Sequence, residues 1–404
     1  MRVLYVSQTG MTEPLGQSQV IPYLAGLARV GYRIEIVTFE PPEATREAID
    51  RVREQLGDHG IEYRWLRRKR VHDVGTKVLE SSRALAELLG RALSQRPRII
   101  HARSYLAGAV ARAAAAITPG SRFIFDCRGL LGDEYVDFGH WQRGSLRHRL
   151  LKLAERHLFS RADAVVVLTD RLRHWLRDEE RLVAPETPLA VIPCCVDLRR
   201  FTLEAGARAR SRESLGAGDR FVLAYSGTLA SNYCLAEMAQ LFASIRLRRP
   251  ALFALFTRAD DRALRAELSR RGVADSDLVV RGATQHEMPA LLAGADAAMA
   301  LIEPRFSKIA SSPVKVAEYL AMGLPVVVNR GIGDQDALVR RHPQSLLDAN
   351  LMGDRDLDAV AAQVLALPAD DAARDRHRAV ATTHFDLQEI GVTRYRQLYE
   401  RLEG

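Results

Sequence analysis

Short apolar runs alternate along the chain with longer segments whose apolar residues recur at helical spacing. VLYVS (3–7) is an unbroken apolar run, QTGMTEPLG (8–16) is rich in turn formers, and QSQVIPYLAGLARVG (17–31) has the spacing of one helix stopped by Gly31. RIEIVTFE (33–40) then predicts a second strand. The rhythm continues with a helix near 76–94, strand 98–103, helix 105–116, strand 123–129, a long basic amphipathic segment over 144–160, and strands 163–169 and 189–196. Strands whose residues are nearly all apolar are buried on both faces, as in a parallel sheet covered by helices. After Asp197 the pattern lapses: residues 199–220 are polar and rich in Gly, Ala and Arg, and predict a linker. The rhythm resumes with strand FVLAYSGTL (221–229), helix 232–247, strand 253–258, helix 260–271, strand 277–282, a short helix 286–293 and strand 297–303. A helix near 354–366 and a last amphipathic helix follow. The expectation is two doubly wound Rossmann-like α/β domains in tandem with a cleft between them. Their bounds are 1–198 and 221–383, with 199–220 linking them and 384–404 packing back towards the first.

A length of 404 residues suits two such cores. No apolar run approaches the ~20 residues of a membrane span. MRVLYVSQTG reads as a first strand rather than a signal peptide, so the cytoplasm is the expected compartment. Cys127, Cys194, Cys195 and Cys234 form no metal-binding or C-x-x-C pattern and read as small buried residues in a reducing compartment. The net charge of +8 is uneven: residues 1–200 hold 32 basic and 24 acidic side chains, and residues 201–404 hold 26 of each. An anionic partner for the first half follows from that asymmetry. YRWLRRKR (63–70) and RGSLRHRLLKLAERHLFSR (143–161) mix basic and apolar residues as a membrane-surface binder does. A plain solvated face is the simpler reading, and no motif supports nucleic acid.

The densest chemistry lies in SSPVKVAEYLAMGLPVVV (311–328). Ser312 is a good N-cap, Pro313 a good first helical residue, and Gly323 with Pro325 a stop, which predicts a helix over 313–322. Lys315 in the first turn opposes the helix dipole unless an anion is shared, and Glu318 lies one turn on, on the same face. This pattern fits a diphosphate clamp with a carboxylate for ribose hydroxyls. It also fits a surface Lys–Glu pair worth a few tenths of a kcal/mol. At the C-terminal edge of the first sheet, DCRGLLGDEYVDFGHW (126–141) offers Asp126, Arg128 and Glu134, and HARSYL (101–106) offers Arg103 and Ser104. Asp126 is a candidate base for an acceptor hydroxyl and Arg128 a candidate phosphate ligand, or the two form a structural pair. Gly10 and Gly16 permit close backbone approach in the first loop, which also carries Glu13 and Gln17. Asp-x-Asp pairs at 275–277 and 356–358 lie in polar loops and do not read as a metal site.

EYLAMGLPVV (318–327) resembles the nucleotide-sugar signature of GT-B glycosyltransferases of the retaining family 4, with Glu318 at the ribose-binding Glu of E-x7-E. VIPCCVDLRRF (191–201), GATQHEMPALLAGADAAMALIE (282–303) and LAGLARVGYRIEIVTFE (24–40) are similar to three further family stretches, so the resemblance runs through nearly the whole chain. It implies a metal-independent, retaining transferase with no cofactor, whose second domain binds a nucleotide-sugar, most simply UDP-linked. It implies that Glu287 and Met288 lie by the donor base, Gly227 and Thr228 by the diphosphate, and the Gly10–Gln17 loop by diphosphate and acceptor. Three departures bear on the diphosphate: Ala310 replaces the first Glu, SGTLASNY (226–233) lacks the usual Arg and Lys, and I-P-N-G is I-P-C-C. A subset of the family with S-P-x-K-V-x-E-Y-L-A matches better, and we infer that Lys315 supplies part of the missing charge there, helped by Lys308 or Arg258. The expected acceptor is lipid-linked, at the inner membrane face, in bacterial surface-glycan assembly. Alternatives are transfer to a soluble small molecule and a non-catalytic nucleotide-sugar binder.

Overall fold

A computed structural model describes residues 1–68, 86–229, 233–351 and 356–403. The chain forms two compact units, Met1–Pro193 with Leu387–Gly404, and Cys194–Asp386. The first holds a parallel sheet of β1 (Arg2–Ser7), β2 (Arg33–Glu40), β3 (Glu62–Arg67), β4 (Ile99–Arg103), β5 (Arg122–Asp126), β6 (Ala164–Val167) and β7 (Leu189–Val191). Its order is β3-β2-β1-β4-β5-β6-β7. The second holds β8 (Phe221–Ser226), β9 (Ala251–Phe256), β10 (Leu278–Arg281), β11 (Ala297–Ala300), β12 (Val326–Val328) and β13 (Leu346–Asp348), ordered β10-β9-β8-β11-β12-β13. Both sheets reverse direction of growth once, at β1/β4 and at β8/β11. Such switch points leave a crevice outside the carboxyl ends of the strands, where ligands bind.

The apolar runs are buried on both faces as their composition requires. In β8, Val222 and Ala224 enter one core cluster, while Phe221, Leu223 and Tyr225 enter the other. In the first-unit sheet the central strand β4 is buried along its whole length, including His101 and Arg103, while the edge strands β3 and β7 are partly exposed.

Several sequence expectations shift. The single helix expected over 17–31 is two, Pro14–Gln19 and Ile21–Arg29, broken at Val20. Pro22 lacks the N–H that would continue the first helix and sits where a new helix tolerates it. The expected linker contains the helix Ala207–Ser214, which belongs to the second unit: Ser211 Oγ donates to Leu291 O at 2.8 Å and Arg212 pairs with Asp296 at 3.2 Å. The chain therefore changes unit at Pro193/Cys194 rather than across 199–220. Part of the helix expected near 76–94 lies outside the described residues, as do Lys69 and Arg70 of the first basic stretch; 86–95 is helical.

The C-terminal segment is a π-helical turn, Leu387–Val392, followed by the helix Thr393–Glu403. It belongs to the first unit, where Arg394 donates to Val191 O at 2.7 Å. Gly26 is its contact: a Cβ there would lie 2.3 Å from Val392 Cγ2. Gly26→Ala should cost about 1–3 kcal/mol by overpacking. Val392→Ala in the same chain should recover part of that loss, and a double-mutant cycle by urea unfolding reads the coupling.

Candidate active site

The second-unit site is built where β8 ends. Gly227 follows β8 at φ 114°, and a Cβ there would lie 3.2 Å from Lys315 Nζ, so only glycine lets the ammonium approach the backbone so closely. Tyr319, on the helix Val314–Ala321, fixes that approach: its hydroxyl accepts from Ser226 N at 2.6 Å and lies 2.9 Å from Ser226 Oγ. Lys315 Nζ donates to Tyr225 Oη at 2.9 Å and sits 4.0 and 3.9 Å from the ring centres of Tyr225 and Tyr233. Both rings present their negative faces to the cation. Burial nevertheless pushes the Lys315 pKa down to about 7, with Glu318 opposing the fall. Glu318 is also buried, and burial pushes its pKa up against Gln285, Arg200 and Lys315. Gln285 Nε2 donates to Glu318 Oε1.

The pair is therefore not a solvated surface pair. Two ionisable side chains are held out of water on one face of a helix at the switch point, a combination typical of a ligand site. Arg200 lies near Glu318, and its Nε has no hydrogen-bond partner among the described residues. It lines a cavity of about 640 Å³ within this unit, together with Arg281, His286 and Glu287.

Other expected donor residues fare unevenly. Ser312 is not the N-cap; Pro313 is, and Ser312 Oγ accepts from Cys194 N at 3.1 Å, clamping the start of the unit to the helix. Met288 is a core side chain, 7% exposed, and is not placed to meet a ligand. Glu287 borders the cavity, but its carboxylate is held by Thr284 N and Oγ1 at 2.8 and 2.7 Å. Thr228 is exposed and its carbonyl accepts from Tyr225 Oη at 2.8 Å. Arg258 is exposed on the loop after β9. Lys308 is buried in the turn Phe306–Ala310, and its carbonyl accepts from Gly333 N at 2.8 Å.

In the first unit the loop after β1 is braced from below. Glu40, buried at the end of β2, accepts from Met11 N at 2.5 Å, Thr12 Oγ1 at 2.6 Å, Thr38 Oγ1 at 3.0 Å and Tyr63 Oη at 2.7 Å. Burial raises its pKa, and these bonds outweigh burial and hold the carboxyl below its ordinary value. A Cβ on Gly10 would lie 2.6 Å from Glu40 Oε2, and one on Gly16 2.3 Å from Gly10 O. Glu13 accepts from Gly10 N at 2.6 Å and pairs with Arg68 at 2.8 Å, while Gln17 Nε2 donates to Met11 O at 2.9 Å. The loop residues expected to meet ligands thus spend their side chains shaping the loop.

Asp126 takes a different part from the one expected. It is fully buried; Tyr395 Oη donates to it at 2.9 Å, Arg128 at 3.3 Å, and Arg103 and His101 lie at 3.7 and 3.6 Å. Burial pushes its pKa up, but Arg128, then His101 and Arg103, outweigh it and hold the carboxyl well below the usual range. A carboxylate so occupied is a poor base. It orients Arg103 and Arg128 at the sheet edge. His101 is also fully buried, and burial lowers its pKa, so its ring is neutral; Nδ1 meets Tyr399 Oη at 2.7 Å. Glu134 stands in the helix Leu131–Asp137 beside Gly129.

Sequence reading missed Tyr225, Tyr233, Gln285 and Arg200 in one unit, and Glu40, Tyr395 and Tyr399 in the other. Gln285 lies inside the stretch singled out for the donor base, and Arg200 in the DLRR turn after the family-like I-P motif. The tyrosines carry no local signal.

These two doubly wound sheets, each with its site at the switch point, define a two-domain Rossmann-like GT-B fold. Residues 18–195 match the model of a glycosyl transferase 4-like domain, and residues 220–370 that of the glycosyl transferases group 1. The chain belongs to the group 1, family 4 glycosyltransferases of the GT-B fold. It is similar to sucrose-phosphate synthase from Thermosynechococcus elongatus (TM-score 0.72, 17% identity, 99% of this chain and 98% of that one). It is also similar to Anabaena Alr3699/HepE in complex with UDP and glucose (TM-score 0.70, 17% identity, 100% and 99%). Over 225 residues it is 29% identical to a GDP-mannose-dependent alpha-(1-6)-phosphatidylinositol monomannoside mannosyltransferase of Mycolicibacterium smegmatis. That match takes in 54% of this chain and 57% of the relative, so it spans little more than half of either.

Two outcomes test the electrostatics. Lys315 has a pKa near 7 when folded and ~10.4 when unfolded. Between these values the unfolded chain holds the extra proton, so stability rises with pH across that window and the burial cost is full below it. Lys315→Met should remove that rise and stabilise the ligand-free protein by about 1 kcal/mol at neutral pH, as read by urea unfolding at a series of pH values. Asp126→Asn should destabilise by about 3–5 kcal/mol, because Arg103 and Arg128 lose their buried counter-charge. The wild-type contribution of Asp126 is present above its unfolded pKa of ~3.9 and fades as pH falls through the folded value, so the Asn variant should show a shallower loss of stability in acid.

Proposed function

We propose that the chain transfers a sugar from a UDP-linked donor to a hydroxyl of a lipid-linked acceptor, with retention of configuration and without a bound metal. The observation that carries this reading is the buried Lys315–Glu318 pair under Gly227. Glu318 accepts hydrogen bonds from the donor ribose, with Gln285 orienting its carboxylate. Lys315, together with the N-terminus of the helix Val314–Ala321, faces the diphosphate. As the glycosidic bond breaks, negative charge grows on the leaving diphosphate, and a pre-placed cation in a dry site stabilises it without reorganisation. With burial pushing the Lys315 pKa down to about 7, the arriving dianion favours its protonated form, so donor binding should weaken as pH rises above 7. Arg200, beside Glu318 and lacking a partner at Nε among the described residues, is a further cation for the donor. In the first unit, Arg103 and Arg128 at the sheet edge suit a phosphate on the acceptor.

The lipid-linked acceptor draws support from the relative in Mycolicibacterium smegmatis, whose name specifies a phosphatidylinositol monomannoside. That name also specifies GDP-mannose, which favours a guanosine donor as the second reading. The UDP reading draws on the ligand of the HepE complex.

Thermal shifts with UDP, GDP and CMP, on wild type and Glu318→Ala, separate these readings. A ligand at 100 times its dissociation constant should stabilise the protein by about 2.7 kcal/mol. A shift with UDP that Glu318→Ala abolishes supports the donor assignment, and a shift with GDP alone moves it to the second reading. No shift with any nucleotide removes the donor site and leaves a non-catalytic relative.

A further inference from the structure

The helix Leu146–Arg161 divides its surface in an unexpected way. Its inner face buries His148, Glu155, Leu158 and Phe159. Lys152 closes that face by pairing with Asp133 at 2.9 Å and with Glu155. Its outer face carries Leu146, Leu150 and Leu153, which are 73%, 57% and 64% exposed. At about 100° per residue these three fall within a stripe of roughly 60°, opposite Glu155. Arg147 and Arg161 flank the stripe on one side and Arg149 and Arg156 on the other, all exposed. Glu155 is the helix's one carboxylate, and it is spent inward on Lys152 and on Tyr105 Oη, which donates at 2.6 Å. Arg156 pairs with Glu180 at 3.6 Å.

Isolated exposed leucines are ordinary, but three in helical register form a patch. An ordinary surface helix keeps its apolar side inward and its polar side outward. Here the outward side is apolar at its centre from Leu146 to Leu153, is continued by the exposed His157 and Ser160, and is cationic at its rims.

We propose that this face docks on an anionic lipid bilayer, with Leu146, Leu150 and Leu153 entering the boundary between headgroups and acyl chains and the four flanking arginines meeting headgroup phosphates. For its purpose this rests on the lipid-linked acceptor proposed above; its geometry does not depend on it. Charge complementarity selects the occupant. The arginine rows match a sheet of phosphates, and the leucine stripe matches the apolar layer just beneath them. A second copy of the chain would set arginine rows against arginine rows. The excess positive charge of residues 1–200, where this helix lies, adds long-range attraction of the same sign.

The test is co-sedimentation of the full chain, without donor or acceptor, with vesicles of phosphatidylcholine alone or containing about one third phosphatidylglycerol. Wild type should bind the anionic vesicles and not the neutral ones, and high salt should release it. Leu146→Ser/Leu150→Ser/Leu153→Ser should lower the affinity at least about tenfold, and Arg147→Gln/Arg149→Gln should lower it and flatten its salt dependence. All five side chains are exposed, so the melting temperature and any nucleotide-induced shift should stay at wild-type values, which separates a failure here from a failure of the donor site. Equal binding by the serine variant, or no binding by wild type, overturns the proposal. So does a wild-type dimer in sedimentation velocity that the serine variant dissociates, because the face is then a self-association surface.

Discussion

Desolvation of one ammonium group sets the terms for the second unit. Lys315 is lodged between two tyrosine rings and against the backbone at Gly227, where water that would solvate its charge is excluded. Such a position is unfavourable for the empty protein, and the tyrosine hydroxyl and ring faces offset only part of the cost. Everything around it follows from that constraint. Gly227 must lack a side chain, Tyr319 must hold Ser226 at a fixed distance from the helix, and Glu318 must lie one turn on to share the field. The diphosphate of the proposed donor would supply the missing counter-charge, so on that proposal the site trades stability when empty for affinity when filled.

The first unit solves a related problem with the opposite sign. Asp126 is buried as a carboxylate, and it is tolerated because two arginines and a tyrosine hydroxyl converge on it. Tyr395 and Tyr399 reach this cluster from the C-terminal helix, more than 250 residues away in sequence from Asp126 and His101. The helix thus completes the polar interior of the first sheet, and the arginines at the sheet edge owe their orientation to it. Glu40 performs a comparable service for the loop after β1, binding its backbone and hydroxyls so that Gly10 and Gly16 can pack without side chains.

These two clusters share a design. Each places an ionisable group in a dry setting at the carboxyl end of a parallel strand, near the point where strand order reverses. In a parallel sheet covered on both faces, the strand ends are the one place where polar groups meet solvent without breaking the core. That is why chemistry collects there, and why the intervening strands are free to be simple apolar runs.

The periodicity alone was enough to read both sheets as parallel and to find their central strands, because burial on both faces is a local demand that each segment meets by itself; the edge strands Glu62–Arg67 and Leu346–Asp348 and the helices Arg46–Gly57 and Asp371–Phe385 were not read from it. The motif around Lys315 and Glu318 likewise placed both residues on one helix face, since spacing along a helix is fixed by its geometry. What the sequence left open depended on contacts between distant segments. Residues 199–220 read as a linker because their anchors, Leu291 and Asp296, lie some 80 residues on. Asp126 read as a base because its partner Tyr395 is invisible from its neighbourhood. Ser312 read as a helix cap, but Cys194 claims its hydroxyl. The basic segment near 144–160 was legible as amphipathic, yet only the packing decided which side turns inward. Composition does not distinguish leucines that fill a core from leucines that face out, and the buried pairing of Lys152 with Asp133 and Glu155 settles the helix's rotation.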